Sequence, residues 1–209
     1  MAEPTRFWLI RHALVAEHAR AAIYGNTDVP ICEGTMDAQG QAYAALARRL
    51  PRPAHWLITP LSRTRRTAEA IFRGGYPVAA LGVEPDLIEQ SFGDWHGLPH
   101  AAIPARLSMP AHPFWAHAGE EQPPGGESIA HVRHRVGAAL ERLADAWPGQ
   151  DVVSVSHGGT IRAAVAHALA LTPHATLNLS VQNLSLTMLE RVDSHWRVVS
   201  VNCGPSDCA

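Results

Sequence analysis

FWLIRH, residues 7–12, is the stretch from which the fold can be worked out. Its four apolar residues favour a buried strand. Arg11 and His12 follow with no intervening loop, although both side chains are costly to bury without partners. In open α/β sheets, ligands bind beyond the carboxyl ends of the strands. The stretch therefore predicts a core strand that leads directly into a functional site.

Similar apolar runs recur along the chain and alternate with helical patterns. The predicted strands are 7–10, 55–59, 151–156, 184–192 and 196–202, and the predicted helices are 34–50, 61–72, 128–147 and 159–171. This alternation predicts an α/β fold with a mostly parallel sheet, ending in a hairpin across 193–195. We expect Ser62 or Thr59 to cap the 61–72 helix and Ser128 to cap the 128–147 helix.

Length and composition favour one domain that acts on a small molecule. The 209 residues are 46% hydrophobic, and a net charge of -2 provides no basic field for nucleic acid or anionic membrane. We expect a single domain over 1–209, with the Pro-, His- and Gly-rich stretch 97–127 as a lid or specificity insertion. Cys203 and Cys208 are predicted to be free thiols. With no pattern of a signal peptide or membrane span, the expected location is the cytoplasm.

Polar residues follow three of the predicted strands. Arg11 and His12 follow the first, Arg63 follows the second, and His157 and Gly158 follow the third. If these strands are parallel neighbours, the side chains and the N-termini of the following helices converge on one anion site. Guanidinium groups match phosphate oxygens, and an imidazole can attack phosphorus and carry the phosphoryl group.

Phosphoryl transfer also requires a proton for the oxygen that leaves phosphorus. A carboxylic acid can supply it. Glu89, directly after the apolar pair Leu87-Ile88, is the candidate donor.

Five blocks of the sequence resemble, in order and spacing, the motifs of the histidine phosphatase superfamily, also called the phosphoglycerate mutase-like family. The blocks are Leu9–His12, Thr59–Ala68, Leu87–Gly97, Pro124–Ser128 and Val155–Gly159. The resemblance extends from residue 7 to about residue 172. It implies a three-layer α/β/α sandwich with a mostly parallel central sheet.

The resemblance also implies a role for each site residue. His12 would accept the phosphoryl group, and Glu89 would protonate the leaving group and then activate water. The phosphate would be bound by Arg11, Arg63, His157 and Gly158. Members of the family use no metal for this chemistry, so no metal or other cofactor is expected.

The substrate class is indicated by a segment after the first block. Tyr24–Pro30 resembles the Tyr-Gly-x-Thr-Asp-Val-Pro segment of α-ribazole phosphatase-like members, so Tyr24 and Gly25 are candidate substrate-binding residues. Extra segments found in cofactor-dependent phosphoglycerate mutases are absent. The favoured function is hydrolysis of a small phosphomonoester, with α-ribazole 5'-phosphate as a candidate. A mutase-type phosphotransferase is the alternative.

Three positions beside the first block depart from the family pattern. Ala13 replaces the usual Gly, Val15 the usual Thr and His18 the usual Asn. We expect the last two changes to remove or alter polar contacts near the phosphate. A non-catalytic sensor of phosphorylated ligands, built on the same fold, is therefore a further alternative.

Two other patterns have structural explanations. His96 with His100, and His131 with His134, have spacings that metal ligands can adopt, but no third ligand is evident. Residues 126–130 approximate the nucleophile elbow of a serine hydrolase. No strand precedes them, and the required oxyanion loop would come too late in the chain.

The remaining alternatives concern aromatic residues and assembly. Trp95, Phe114 and Trp115 could stack on a substrate ring or belong to the core. His112 and His117 could touch the substrate or be solvent-exposed. The two late apolar strands could form an edge that pairs with a second copy in a homodimer.

Overall fold

A computed structural model describes residues 3–206, which contain a six-stranded sheet in the order β3-β2-β4-β1-β5-β6. The strands are β1 (Thr5–Arg11), β2 (His55–Ile58), β3 (Leu81–Val83), β4 (Asp151–Ser156), β5 (Leu186–Val192) and β6 (His195–Cys203). The helices are α1 (Glu17–Arg20), α2 (Glu33–Ala38), α3 (Gly40–Arg49), α4 (Ser62–Arg73), α5 (Ile129–Ala146), α6 (Gly158–Ala168) and α7 (Pro173–Thr176). Short 3₁₀ turns cover Pro85–Leu87, Gly93–Trp95, His100–Ala102 and Pro104–Arg106.

The central strand β1 lies parallel to β4 and antiparallel to β5. β2 runs parallel to both β4 and β3, whereas β5 and β6 form an antiparallel hairpin. The prediction of a mostly parallel sheet ending in a hairpin is confirmed. Because Arg11 pairs in register with Ser156, the chain leaves β1 and β4 at the same edge. His12 and His157 therefore emerge side by side.

Alternating side chains of β1 enter two different cores, one on each face of the sheet. Ile10 packs with Leu46 and Ile71, which belong to α3 and α4. Phe7 and Leu9 pack on the opposite face, in a cluster with residues of α5 and α6. Full burial of each such side chain contributes about 1.5–3 kcal/mol. Helices on both faces confirm the three-layer arrangement and hold the strand before His12 firmly in place.

Two helical predictions need correction. The helix expected over 34–50 is interrupted at Gln39, giving α2 and α3, because Gly40 and Gly34 lower the helical propensity of this stretch. Neither Thr59 nor Ser62 caps α4, which begins after Leu61. Instead the Asp28 carboxylate accepts hydrogen bonds from the amide and the hydroxyl of Ser62.

The long α5 begins as expected. Ser128 is its N-cap, and the Ser128 hydroxyl accepts from the amide of His131, whose ring in turn accepts from the Ser128 amide. Ser128 is therefore a capping residue, and no strand precedes it. In residues 3–206 no helix is both long and apolar enough to cross a membrane. Cys32 and Cys203 are free thiols, and Cys208 lies outside the described residues.

The 97–127 segment is irregular apart from two short 3₁₀ turns. Its residue Ile103 is fully buried in a small cluster with Ile23 and Trp95. The amide of Ile23 donates to the carbonyl of Leu98, which ties the segment to the loop after β1. The segment thus lies over the same end of the sheet as His12.

Candidate active site

His12 is held at the end of β1 in one tautomer. Its Nδ1 lies 2.7 Å from the carbonyl oxygen of Ala13. A carbonyl can only accept, so Nδ1 carries the proton and Nε2 keeps its lone pair. The backbone is fixed as well, because Asn183 donates to the His12 carbonyl and the Ala13 amide donates to the Thr67 hydroxyl. The His12 ring is therefore held in one orientation with Nε2 unprotonated, and the backbone carbonyl that orients it does not require a glycine at position 13.

Burial also keeps His12 uncharged. The ring is 1% exposed, and burial lowers its pKa well below the usual value, with further lowering from the guanidinium groups of Arg63 and Arg11. A neutral imidazole retains the nitrogen lone pair that attack on phosphorus requires.

His157 lies beside His12, with the two ring centroids 5.2 Å apart. Its Nε2 is 2.9 Å from the Thr59 hydroxyl, which already accepts from the Leu61 amide. The Thr59 hydroxyl has one proton to donate, and His157 Nε2 is a nearer acceptor for it than the Thr64 hydroxyl at 3.4 Å. We assign Thr59 as the donor to Nε2 on this ground, which leaves the proton of His157 on Nδ1. That Nδ1 is buried and has no hydrogen-bond partner among residues 3–206. Burial, followed by the effect of His12 and the guanidinium groups, lowers the pKa of His157 well below its usual value.

The two predicted arginines are anchored by backbone carbonyls. Arg63 is fully buried and donates to the carbonyl oxygens of Thr27 and Gly25, and Arg11 donates to that of Val181. The Nε–H groups of Arg11 and Arg63 are buried without a hydrogen-bond partner in the described part of the chain. Buried donors normally find acceptors. Together with His157 Nδ1 they provide three unpaired donors close to His12, which suit the oxygens of a phosphoryl group.

Glu89 reaches the site from the loop before Gly93–Trp95. Its Oε2 accepts from the amide of Gly159 at 3.2 Å, and its Oε1 accepts from the amide of Gln90 at 3.0 Å. At the N-termini of α4 and α6, which were expected to converge on the anion site, one amide each already has a partner within the protein. The Gly159 amide of α6 is occupied by Glu89, and the Ser62 amide of α4 by Asp28.

Arg135 supports the loop that carries Glu89. It forms an ion pair with Glu127 at 2.7 Å and donates to the backbone carbonyls of Asp86, Ile88 and Glu89. Burial would raise the pKa of Glu127, but hydrogen bonds from Arg135 and the Ser91 amide lower it overall. Arg135 was not among the residues predicted from the sequence, although its partner Glu127 lies in the block 124–128.

Two pockets meet at the site. One has a volume of about 200 Å³ and is lined by Glu89, Gly158, Gly159, Tyr24 and Gly25 together with apolar side chains. The other, about 790 Å³, is a more open groove whose lining includes the polar residues Asn178, Gln182 and Asn183 beside apolar ones. Arg11 and Arg162 line both pockets. The arrangement can hold a phosphoryl group with a small organic substituent on either side.

Arg162, like Arg135, lies at the site but was not predicted from the sequence. It lies on α6, is 7% exposed, and donates from Nε to the Leu179 carbonyl. Its guanidinium group lies 4.1 Å from the ring centroid of Trp115. The available signal was its position one turn after Gly158, on the helix that follows His157.

Three residues that were considered as contacts of the substrate or the phosphate lie outside the two pockets. Trp95 is buried in the core, Val15 is buried with its backbone bridged to Ile31, and His18 is exposed on α1. None of these three lines either of the two pockets. The expected change in phosphate contacts at Val15 and His18 stays a prediction. His117 lines the smaller pocket, whereas His112 is buried against the ring of His174.

Phe114 and Trp115, the other two aromatic candidates for substrate stacking, both lie at the pockets. Phe114 lines the open groove and Trp115 lines both pockets.

Among residues 3–206, no cluster of three or more His, Cys, Asp or Glu side chains could hold a metal ion. The His131–His134 pair therefore lacks a third ligand within the described chain.

A sequence model of the histidine phosphatase superfamily, branch 1, matches residues 7–204. The chain is 30% identical over 187 residues to the Bifunctional protein Rv2228c of Mycobacterium tuberculosis, covering 90% of this chain and 50% of that one. It thus spans about half the length of that relative. It is 29% identical to the "Probable phosphoglycerate mutase GpmB" of Yersinia enterocolitica, covering 90% and 86% of the two chains.

A solved structure agrees over nearly the whole chain. The mycobacterial glucosyl-3-phosphoglycerate phosphatase Rv2419c superposes with a TM-score of 0.81 at 27% identity, covering 96% of this chain and 100% of that one.

Proposed function

Because this chain belongs to branch 1 of the histidine phosphatase superfamily, we propose that it is a metal-independent phosphatase that hydrolyses a small phosphomonoester through a phosphohistidine at His12. The observation that carries the proposal is the environment of His12. Its Nε2 lone pair is free, and its pKa is lowered by burial. The buried Nε–H groups of Arg11 and Arg63 and the buried Nδ1 of His157, assigned as protonated, have no hydrogen-bond partner among residues 3–206. Such a constellation favours attack on phosphorus in a dianionic ester.

The first half-reaction transfers the phosphoryl group to His12. The Nε2 lone pair forms the N–P bond while the P–O bond to the leaving group breaks. Arg11, Arg63 and His157 bind the phosphoryl oxygens as charge develops on them. Glu89, which lines the smaller pocket, gives its proton to the departing oxygen.

The second half-reaction returns His12 to its resting state. The Glu89 carboxylate takes a proton from water, whose oxygen attacks phosphorus as the N–P bond breaks. Inorganic phosphate leaves, and Glu89 is protonated again for the next substrate. The proposed charge stabilisation comes from guanidinium groups and therefore requires no metal.

Brief incubation with a ³²P-labelled ester and rapid quenching tests the proposal. We expect label on the protein that is labile in acid and stable in base, and loss of both label and activity in His12→Ala. His18→Ala, on the exposed helix α1, is the matched control and should retain both. Activity should survive a chelator and be inhibited by vanadate. Turnover by His12→Ala would refute the mechanism.

A mutase is the second candidate, and the similarity to the Yersinia protein named as a phosphoglycerate mutase favours it. A mutase transfers the phosphoryl group to an acceptor hydroxyl rather than to water. It would require a bisphosphorylated priming ligand and would phosphorylate the acceptor faster than it releases inorganic phosphate. Measuring both products with one labelled donor separates the two functions.

The identity of the substrate, the cellular location and the oligomeric state stay predictions. The mostly apolar walls of the smaller pocket support a compact ring or chain, of which the α-ribazole moiety is one candidate. We propose no nucleic-acid or membrane partner. A cytoplasmic location and a homodimer formed through the β6 edge also stay predictions, and a phosphatase screen across metabolites is the most direct way to identify the substrate.

A further inference from the structure

His117 is a buried imidazole at the smaller pocket that none of the proposed chemical steps uses. It belongs to the 97–127 segment, is 6% exposed, and lines the pocket of about 200 Å³ together with Glu89. Its Nδ1 lies 2.8 Å from the carbonyl oxygen of Ala118. A carbonyl can only accept, so Nδ1 carries the proton and Nε2 keeps its lone pair. The same contact with the next carbonyl along the chain orients His12.

The lone pair on Nε2 of His117 is unused within the described chain. Among residues 3–206 Nε2 has no hydrogen-bond partner, and the atom is not fully buried. Two contacts keep the imidazole from turning: the bond to Ala118, and the ring of Phe92, whose centroid lies 5.6 Å away at an interplanar angle of 70°. What remains accessible on the ring therefore faces the pocket, where Nε2 presents an acceptor.

The His117 ring is an acceptor and not a cation. Burial lowers its pKa below the ordinary value, although the hydrogen bond to Ala118 and the charge of Glu121 oppose part of that shift. A neutral ring with its proton on Nδ1 cannot donate from Nε2. A group that meets Nε2 in the pocket must therefore bring the proton, as a hydroxyl or an ammonium does.

The position of Glu89 indicates which part of the substrate meets His117. Glu89 lines the smaller pocket but not the open groove, and it must reach the ester oxygen, so the leaving group extends into the smaller pocket. Arg11 lines that pocket as well, and its positive charge disfavours an ammonium there. A carboxylate has no proton to donate to Nε2. The group that suits His117 is thus a neutral hydroxyl on the leaving group.

From this geometry we infer that His117 is a specificity-determining residue whose Nε2 accepts a hydrogen bond from a hydroxyl of the leaving group, so that the enzyme selects phosphomonoesters of diols and polyols over those of simple alcohols. The inference rests on the proposed phosphatase function. A leaving group without the hydroxyl would cover Nε2 and leave its lone pair unpaired, which is the usual physical basis for rejecting such an analogue.

Three pairs of esters that differ in one hydroxyl provide the test. 2-Hydroxyethyl, 3-hydroxypropyl and 4-hydroxybutyl phosphate are each compared with the ethyl, propyl or butyl ester of the same length, by measuring kcat and KM for wild type and His117→Phe. The three lengths scan the distance from the ester oxygen to Nε2. In at least one pair wild type should prefer the hydroxyl ester. The variant should lose about 3- to 10-fold in kcat/KM for that ester, mostly through KM, and less than about twofold for the alkyl ester.

His134→Phe is the matched control, because His134 is exposed on α5 and lines neither of these two pockets. His117→Gln keeps an acceptor at the end of the side chain and should retain more of the preference than His117→Phe. His117→Leu also lacks an acceptor and takes the place of His117→Phe if that variant does not fold. An equal loss for both members of every pair, or no preference in wild type, would overturn the inference.

The two proposals can fail separately. If wild type hydrolyses none of the six esters and takes up no label at His12, the phosphatase proposal fails, and calorimetric binding of the same esters then tests His117 alone. Weaker binding of a hydroxyl ester to His117→Phe, with its alkyl partner unchanged, would support the contact with Nε2. Equal binding of both members of every pair by wild type would refute it.

Discussion

Glu89 and Gly159 are in such close contact that any side chain at position 159 would collide with the Glu89 carboxylate. The Gly159 amide donates to Glu89 Oε2 at 3.2 Å, and a Cβ built on Gly159 would lie 2.4 Å from Glu89 Oε1. The absence of a side chain at the start of α6 is therefore what allows the carboxyl group to sit against the helix N-terminus. There the helix dipole and the amide orient the proposed proton donor.

Gly159→Ala should displace Glu89 while leaving the His12 environment intact. The added methyl group forces the carboxyl away, so kcat should fall by about 100-fold or more, the usual contribution of a general acid. Steady-state kinetics measure the effect. Gly34→Ala is the control, since a Cβ there meets nothing within 4 Å. Unchanged kcat in Gly159→Ala would contradict the role of Glu89.

Thr59→Val should reduce both stability and activity. The substitution removes the donor to His157 Nε2 and leaves a buried ring nitrogen without a partner. The expected loss is about 1–3 kcal/mol in the free energy of unfolding. Without Thr59 the His157 ring can also take the other tautomer, which would turn a lone pair toward the phosphate and raise KM. Urea denaturation and kinetics together test this, and an unchanged KM would argue against the tautomer assignment.

Arg135→Met should lower kcat more than it changes KM. The variant loses the ion pair with Glu127 and three hydrogen bonds to the carbonyls of the loop that carries Glu89. Because such hydrogen bonds involve a charged group, we expect a loss of about 2–3 kcal/mol in unfolding free energy. Arg133→Met, on the same helix, is the control and should keep wild-type kcat. If both variants lost kcat equally, Arg135 would be only a structural residue.

Stability should fall as the pH drops below about 6.5. Burial lowers the pKa of His12 and His157 in the folded state, so the unfolded chain binds more protons below the ordinary histidine pKa. Each histidine then removes up to about 1.4 kcal/mol of stability per pH unit. His12→Asn should flatten the dependence measured by urea denaturation between pH 7.5 and 5. An equal slope in the variant would show that His12 is not buried as the neutral form.

Local sequence was sufficient to predict the three strands around the site and the polar residues that follow each of them, whereas their order in the sheet was only assumed. The apolar runs of β1, β2 and β4 and the polar residues after them, Arg11-His12, Arg63 and His157, are adjacent in the chain. Parallel pairing then brings them to one edge of the sheet. Helix boundaries were less accurate: α2 and α3 are separated at Gln39, and Asp28 replaced the local caps expected for α4.

The sequence by itself determined the fold class, the order of the motifs and the residues proposed for the chemistry, because each depends on periodicity or on close spacing. Tertiary structure alone decided how these residues are held. The Thr59–His157 contact joins residues 98 positions apart, and Asn183 binds the carbonyl of His12 across 171 positions. Arg162 meets Trp115 only because the 97–127 segment folds over α6. Contacts at such separations depend on loop closure and packing, which leave no pattern in the neighbouring sequence.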